Sequence, residues 1–306
     1  MTLTELRYII TLAQEKHFRK AAERCFVSQP TLSVAIKKLE EELDLAIFER
    51  SRTEVHVTPM GEKIIAQARK VLEEADVIKN IASEGKGQLN TPLRVGAIFT
   101  IGPYLFPHII RHIKDHAPNM PLILEENYTS VLRQKLRTGE IDVIVISLPF
   151  SEPDTELIDL YDEPFRILIP AQHPLAAKKS ITRRQLEKEK VLLLGEGHCF
   201  RDQVLHACPS INKGFNAHEI PLGTSLETLR HMVASGLGLT ILPGSASDNA
   251  IYDNDTLVER PFSGKTPFRR VSLVWRKRFP RNEAIEALST SINSCALEGA
   301  SIKPHS

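Results

Sequence analysis

Residues 18–43 read FRKAAERCFVSQPTLSVAIKKLEEEL, and the spacing within this stretch decides the first part of the fold. Phe18, Ala21, Ala22 and Cys25 make one apolar stripe, and Leu32, Ile36, Leu39 and Leu43 make another, each at steps of three and four. Ser28 stands before the second stripe as a natural N-cap. Only Val27 separates Phe26 from that cap, so the two helices meet through a tight turn, a helix-turn-helix. Working outward, Leu6, Ile9, Ile10 and Ala13 give a preceding helix.

The outward face of the second helix of the pair carries Gln29, Pro30, Thr31, Ser33, Val34 and Lys37, short polar, methyl-bearing or basic groups suited to base edges and phosphates. A plain solvated helix face has the same composition, so charge is needed to separate the two. Residues 1–38 hold seven Lys/Arg against three Asp/Glu, and residues 39–58 hold two against six, so the basic part lies over the reading surface. Arg50-Ser51-Arg52 followed by Val55-His56-Val57 predicts a hairpin wing that sets Arg50 and Arg52 on the phosphate backbone. From Pro59, Ile64, Ala68, Val71, Ala75, Ile78 and Ala82 recur at steps of four and three, a heptad seam that predicts a dimerising helix. Gly85-Lys86-Gly87-Gln88 ends it as a hinge.

Ala21-Ala22, Ser28-Gln29-Pro30-Thr31-Leu32-Ser33, Ile36, Leu39-Glu40, Leu43, Phe48-Glu49-Arg50 and Thr58-Pro59-Met60-Gly61-Glu62 together resemble the winged-helix signature of the LysR-type regulators. One departure is Asp44, where the family carries glycine; aspartate tolerates a left-handed backbone better than most residues. The resemblance implies a winged helix-turn-helix DNA-binding domain over 1–58, with Ser28 among the DNA-facing residues, and a linker helix and hinge over 59–91. It further implies a regulatory domain over 92–306, double-stranded promoter DNA and RNA polymerase as partners, and a homo-oligomer that is a dimer through the linker helix and a tetramer in full.

From Pro92 the pattern alternates between strands and helices, with strands at 93–98, 122–125, 141–146, 165–169, 191–194, 237–242 and 270–275. Such units imply an α/β domain with a largely parallel sheet. It resembles the LysR-type effector domain, periplasmic-binding-protein-like, with subdomain I over 92–163 and 268–306, subdomain II over 164–267, and a cleft between them. No Walker A, Rossmann fingerprint, HExxH or GxSxG occurs, so no cofactor and no enzyme activity are expected. His108, His112 and His116 share a helix face, but no cysteine or carboxylate joins them as a metal site, and a solvated face is the expectation.

The 306 residues are 42% apolar and 25% charged with a net charge of +1. These values exclude a disordered chain, a collagen, a disulfide scaffold and a polybasic coat. No basic region followed by an apolar stretch opens the chain, and the longest run without a charged residue or histidine, Met232–Ser247, is broken by glycines and a proline. The expectation is a soluble cytoplasmic protein with no membrane partner and with reduced cysteines.

Cys25 and Cys295 lie on apolar stripes and are expected to be buried small hydrophobes. Cys199 and Cys208 differ. Gly195-Glu196-Gly197-His198 leads into Cys199 directly after a buried strand, where a helix is expected to start. A helix N-terminus flanked by His198 and Arg201 predicts a favoured thiolate at Cys199. Three readings stay open from the residues: ordinary thiols; a zinc site using Cys199, His206, Cys208 and His198, although the spacing is not a common zinc pattern; and a redox switch in which Cys199 attacks peroxide and Cys208 resolves it.

Gly197-His198-Cys199, Arg201-Asp202-Gln203 and Cys208 resemble the peroxide-sensing members of the LysR-type regulators, which control oxidative-stress genes. That resemblance implies hydrogen peroxide as the signal, Cys199 as the sensing thiol and Cys208 as the resolving thiol. It places Thr100, Thr129, His198 and Asp202 around the peroxide, joined by a cation that fits Arg269 better than the adjacent Arg270. Two rivals remain: a regulator that binds a small organic effector in the cleft, and a thiol peroxidase with a DNA-binding appendage.

Overall fold

A capping box starts the chain: the Glu5 amide donates to Thr2 Oγ1 (3.2 Å) and the Thr2 amide donates back to Glu5 Oε2 (2.7 Å), opening α1 (Leu3–Glu15). α2 (Phe18–Arg24) and α3 (Gln29–Leu43) follow, and the Thr31 amide donates to Ser28 Oγ at the start of α3. Between them Phe26 takes a left-handed backbone (φ 56°) and stands 95% exposed. Asp44 ends α3 at φ 50°, the conformation expected for it. β1 (Phe48–Arg50) pairs antiparallel with β2 (Val55–Val57) to make the wing. The long helix α4 (Pro59–Glu84) completes this unit.

The structure is a computed structural model that describes residues 1–50, 55–84, 87–211, 213, 222–247, 255–295 and 301–302. Ser51 and Arg52 of the wing, and Gly85 and Lys86 of the hinge, lie outside the described residues. The chain forms two units, Met1–Lys86 and Gly87–Ser306. In the first, Leu6, Ile9, Leu12, Leu32, Ile36 and Leu39 make the core. The seam of α4 differs from its expectation in its first turns. Ala68 and the neighbouring Ile65 are buried in this unit's own core and Val71 packs against it, because α1 already supplies a partner face. Further along, Ile78 is 69% exposed. Cys25 also departs from expectation: it is half-buried at the C-cap of α2, past the last helical residue of the stripe.

The second unit begins with β3 (Leu93–Ile98), α5 (Gly102–His116), β4 (Leu122–Asn127), α6 (Thr129–Thr138) and β5 (Val143–Ser147). The long strand β6 (Thr155–Pro170) leads to α7 (Arg183–Leu186), β7 (Val191–Leu194), α8 (Cys199–Ala207), β8 (Leu222–Gly223), α9 (Leu226–Ala234) and β9 (Leu239–Pro243). β10 (Leu257–Pro261), β11 (Phe268–Arg276), α10 (Asn282–Ser294) and β12 (Ser301–Ile302) close the chain. Among the described residues these strands form one ten-stranded sheet in the order β4-β3-β5-β11-β6-β9-β7-β8, with β10 and β12 also on β6.

β3 runs parallel to β4 and β5, and β7 parallel to β8 and β9, while β6 and β11 are antiparallel to each other. Two hydrophobic clusters flank the β6–β11 pair. One is built from 93–161 and 271–295, the other from 165–262. β6 contributes to both clusters.

Candidate functional site

β3, β4 and β7 each end in a short turn into a helix, and those three turns line one pocket at the carboxyl ends of the strands. Thr100 stands before α5, Thr129 opens α6, and Gly197-His198-Cys199 leads into α8. The N-caps Ile101, Tyr128 and His198 make no side-chain capping bond, so the first amides of these helices keep donor capacity and positive partial charge. The pocket and its mouth hold about 180 Å³ of space, part of it open solvent. The enclosed portion has room for about one water-sized molecule.

Cys199 is the half-buried first residue of α8, and the Thr129 side chain hydrogen-bonds its sulfur. Burial pushes its thiol up; the Arg269 guanidinium and the Thr129 bond pull it back only in part. This corrects the expected thiolate. His198 is buried, which holds its imidazole below the usual histidine value, so it brings no positive charge. Arg201 is turned away, its Nη1 donating to the Leu194 carbonyl (2.9 Å). Asp202 is exposed on the first turn of α8, does not line the pocket, and raises the thiol further.

The cation comes from β11, and strand register selects it. Arg269 lies opposite Glu163 and Arg270 opposite Asp162. Arg269 is buried: Nε donates to Glu163 Oε2 (2.6 Å), Nη1 to Thr100 Oγ1 (2.7 Å) and Nη2 to the Thr100 carbonyl (2.7 Å), with the guanidinium 5.2 Å from the Phe200 ring. Glu163 accepts in addition from the Ser245 amide (2.7 Å). Thr100 Oγ1 accepts from Arg269, which leaves the Thr100 hydroxyl hydrogen for a molecule in the pocket. Arg270 instead holds Asp162 and Asp159.

Cys208 is the C-cap at the opposite end of α8 and is buried in the second cluster beside Phe200 and Val204. Burial pushes its thiol up as well. Arg183, which the sequence did not single out, secures this end. Its Nε donates to the Ala207 carbonyl (2.9 Å), Nη2 donates to the Lys265 carbonyl (3.3 Å), and the side chain hydrogen-bonds the Cys208 sulfur. Gln203, from the middle of α8, donates to Ser147 Oγ (2.8 Å) and to the Leu148 carbonyl (3.0 Å). A nine-residue separation along a helix puts the two cysteine Cα atoms about 13–14 Å apart. That is too far for one zinc ion to join both sulfurs, and too far for a disulfide, which needs roughly 7 Å or less.

In the first unit, α3 exposes Ser28, Gln29, Pro30, Thr31, Val34 and Lys37, with Ser33 half-buried and Lys37 3.4 Å from Glu41. Arg50 falls in β1, opposite Val55; Arg52 lies outside the described residues. The apolar spacing gives no sign of the exposed Phe26 in the turn, which belongs to neither stripe. Of the three helix-face histidines, the rings of His112 and His116 stack at 3.9 Å, and His112 Nδ1 pairs with Ser291 Oγ.

Comparisons with known proteins add two family matches. Residues 3–62 match "Bacterial regulatory helix-turn-helix protein, lysR family" and residues 86–294 match "LysR substrate binding domain". The chain is 37% identical over 294 residues to the "DNA-binding transcriptional dual regulator OxyR" of Escherichia coli (strain K12), covering 96% of this chain and 95% of that protein. A full-length OxyR from Pseudomonas aeruginosa, bearing a cysteine-to-aspartate substitution, is 56% identical and superposes with a TM-score of 0.80, covering 100% of this chain and 99% of that one. A hydrogen-peroxide-bound cysteine-to-serine mutant of OxyR from Corynebacterium glutamicum is 34% identical, with a TM-score of 0.64 over 95% and 91% of the two chains.

Proposed function

The chain belongs to the LysR family of bacterial regulatory proteins, and on that footing we propose that it is a DNA-binding transcription regulator that senses hydrogen peroxide by reversible formation of a Cys199–Cys208 disulfide and controls oxidative-stress genes. The observation that carries this is the pocket. A cysteine sulfur held by Thr129, a threonine hydroxyl held by a buried Arg269, and three uncapped helix ends gather around one small space.

The first step is attack of the Cys199 thiolate on one peroxide oxygen. The S–O bond forms, the O–O bond breaks and hydroxide leaves; sulfur loses two electrons and peroxide gains them. Negative charge moves from sulfur to the departing oxygen, and both positions face fixed positive ends. Thr100 and Thr129 supply hydroxyls, while Arg269 and the helix N-termini supply field. Burial keeps the resting thiol protonated, so its proton leaves the sulfur as attack proceeds and ends on the departing hydroxide, which goes as water. In the second step the Cys208 thiolate attacks the sulfenic sulfur and expels hydroxide, which is protonated to water. The separation along α8 requires the helix to unwind first, releasing Phe200 and Val204 from the core and Gln203 from Ser147. That rearrangement is the signal, a local packing change with a global readout.

DNA is read by Gln29, Pro30, Thr31, Ser33 and Lys37 from the start of α3, with Ser28 at its cap and Arg50 and Arg52 on phosphates. The proposed organisation is a DNA-binding domain over 1–58, a linker over 59–91 and a regulatory domain over 92–306. The assembly is a homotetramer built from two dimers, each joined through α4, acting in the cytoplasm with RNA polymerase and without enzymatic turnover. Among the described residues no helix is long and apolar enough to cross a membrane. Mass-spectrometric disulfide mapping with and without stoichiometric peroxide tests the proposal. The expected result is a Cys199–Cys208 bond only after peroxide, no bond in Cys199→Ser, and a probe-trapped sulfenic acid at Cys199 in Cys208→Ser. A probe adduct on Cys208 instead would reverse the roles, and unchanged thiols would remove the reading.

A further inference from the structure

The two threonines of the pocket are each preceded by an aromatic residue, Phe99 before Thr100 and Tyr128 before Thr129. These rings come together although they are 29 positions apart in the chain. Their centroids are 5.2 Å apart at 80°, and Tyr128 meets the His198 ring edge-on at 4.9 Å. Gly197 makes this possible. Its backbone is left-handed (φ 92°), and a Cβ there would stand 3.3 Å from two carbons of the Tyr128 ring. The ring thus lies close against the glycine, beside Cys199.

Two features separate this from ordinary packing. Tyr128 is the N-cap of α6, a position that favours a short capping side chain, and it makes no capping bond. It is also 37% exposed while lining the pocket, so it spends apolar surface at the mouth rather than in the core. A local rule broken at a site implies that the site uses the residue.

Resting on the peroxide reading above, we propose that Phe99 and Tyr128 form an aromatic filter that admits hydrogen peroxide and rejects organic hydroperoxides. In the reaction, sulfur attacks the terminal oxygen of HO–OR; the S–OH bond forms, the O–O bond breaks and RO⁻ leaves to be protonated as ROH. The group R extends away from the sulfur. Thr100 with Arg269 and the start of α8 hold polar sides of the pocket, while Phe99 and Tyr128 line it and Tyr128 reaches its open side, the side toward which R extends. Hydrogen fits there, and a branched alkyl group collides with the rings. Shape exclusion in an apolar pocket is worth about 10- to 200-fold for small size differences, and a tert-butyl group is a larger one.

The test compares second-order rate constants for sulfenic acid formation at Cys199 with hydrogen peroxide and with tert-butyl hydroperoxide. It uses the full chain carrying Cys208→Ser, so that resolution does not enter. The parent should favour hydrogen peroxide by at least about 100-fold. Tyr128→Ala and Phe99→Leu should each lower that ratio by about tenfold or more, and Tyr128→Phe, which keeps the ring, should preserve it. A residue of purely structural value would slow both peroxides together, so a ratio unchanged in both Tyr128→Ala and Phe99→Leu overturns the filter, as does a parent that does not discriminate. If hydrogen peroxide leaves Cys199 unmodified in the parent, the functional reading itself fails and the filter with it.

Discussion

The two ends of α8 carry the same chemical group in opposite surroundings. Cys199, at the N-terminal end, borders a small polar pocket whose walls come from residues 98–100, 127–129 and 197–199, with Arg269 behind them. Cys208, at the C-terminal end, is sunk in an apolar core and touched by one exposed arginine. Both thiols are pushed up by burial. Thiol acidity therefore does not distinguish a sensor from a resolver here. What differs is the donors beside each sulfur: a buried guanidinium, threonine hydroxyls and uncapped helix amides at the N-terminal end, and one exposed arginine at the C-terminal end.

The sharpest way to break that contrast is to remove the guanidinium at the first end. Arg269→Met should slow sulfenic acid formation at Cys199 by roughly 100-fold, the usual effect of losing a preorganised charge-stabilising donor. It should also cost about 3–5 kcal/mol of stability, because Glu163 is left buried without its partner. Adding Glu163→Gln should recover much of the stability in urea unfolding without recovering the rate. If stability and rate return together, Arg269 is only a structural strut and the two ends are less different than they look.

A smaller effect is expected at the second end. Arg183 caps the last turn of α8 and bonds Cys208 in the helical state, contacts that unwinding removes. Because Arg183 is exposed, these contacts are worth little. Arg183→Gln should shift the dithiol–disulfide equilibrium against dithiothreitol about threefold toward the disulfide, while leaving the rate of sulfenic acid formation alone. A shift in that rate would mean that the two ends are coupled through the helix before it unwinds.

The smallest effect concerns pH. His198 has a folded-state value held below the ordinary 6.5 by burial, so protons bind the unfolded chain more readily in that range. Its contribution to stability is fully present above the ordinary value and is lost as pH falls through and below it. The urea midpoint of the regulatory unit should therefore drop between pH 7.5 and 5.5 by more than it does in His198→Gln. Equal drops would mean that His198 is solvated and stands outside the pocket wall.

Much of this was legible in the residues. The glycine-led approach to Cys199 places a helix start there, and α8 begins at that residue. The apolar spacing of Phe200 and Val204 gives the buried face that anchors the helix. Thr100 and Thr129 line one pocket with Cys199. The aromatic residues beside them carry a signal of their own, since adjacent Phe99-Thr100 and Tyr128-Thr129 pairs at two strand ends are visible in the chain itself. Arg183 carried none: it lies 25 positions before Cys208, in a run of polar residues like many others.

The sequence by itself determined the elements, because helix and strand follow from the period of apolar residues and from caps such as Ser28 and Thr2, all short-range effects. It determined the helix-turn-helix pair and the helix start at Cys199. Only the tertiary structure decided which of two adjacent arginines serves the site, since strand neighbours point to opposite faces and only register with β6 says which face is inward. Only it decided the state of the Cys199 thiol. Local sequence supplied a helix end and a histidine, whereas the burial that pushes the thiol up depends on chain segments up to a hundred residues distant.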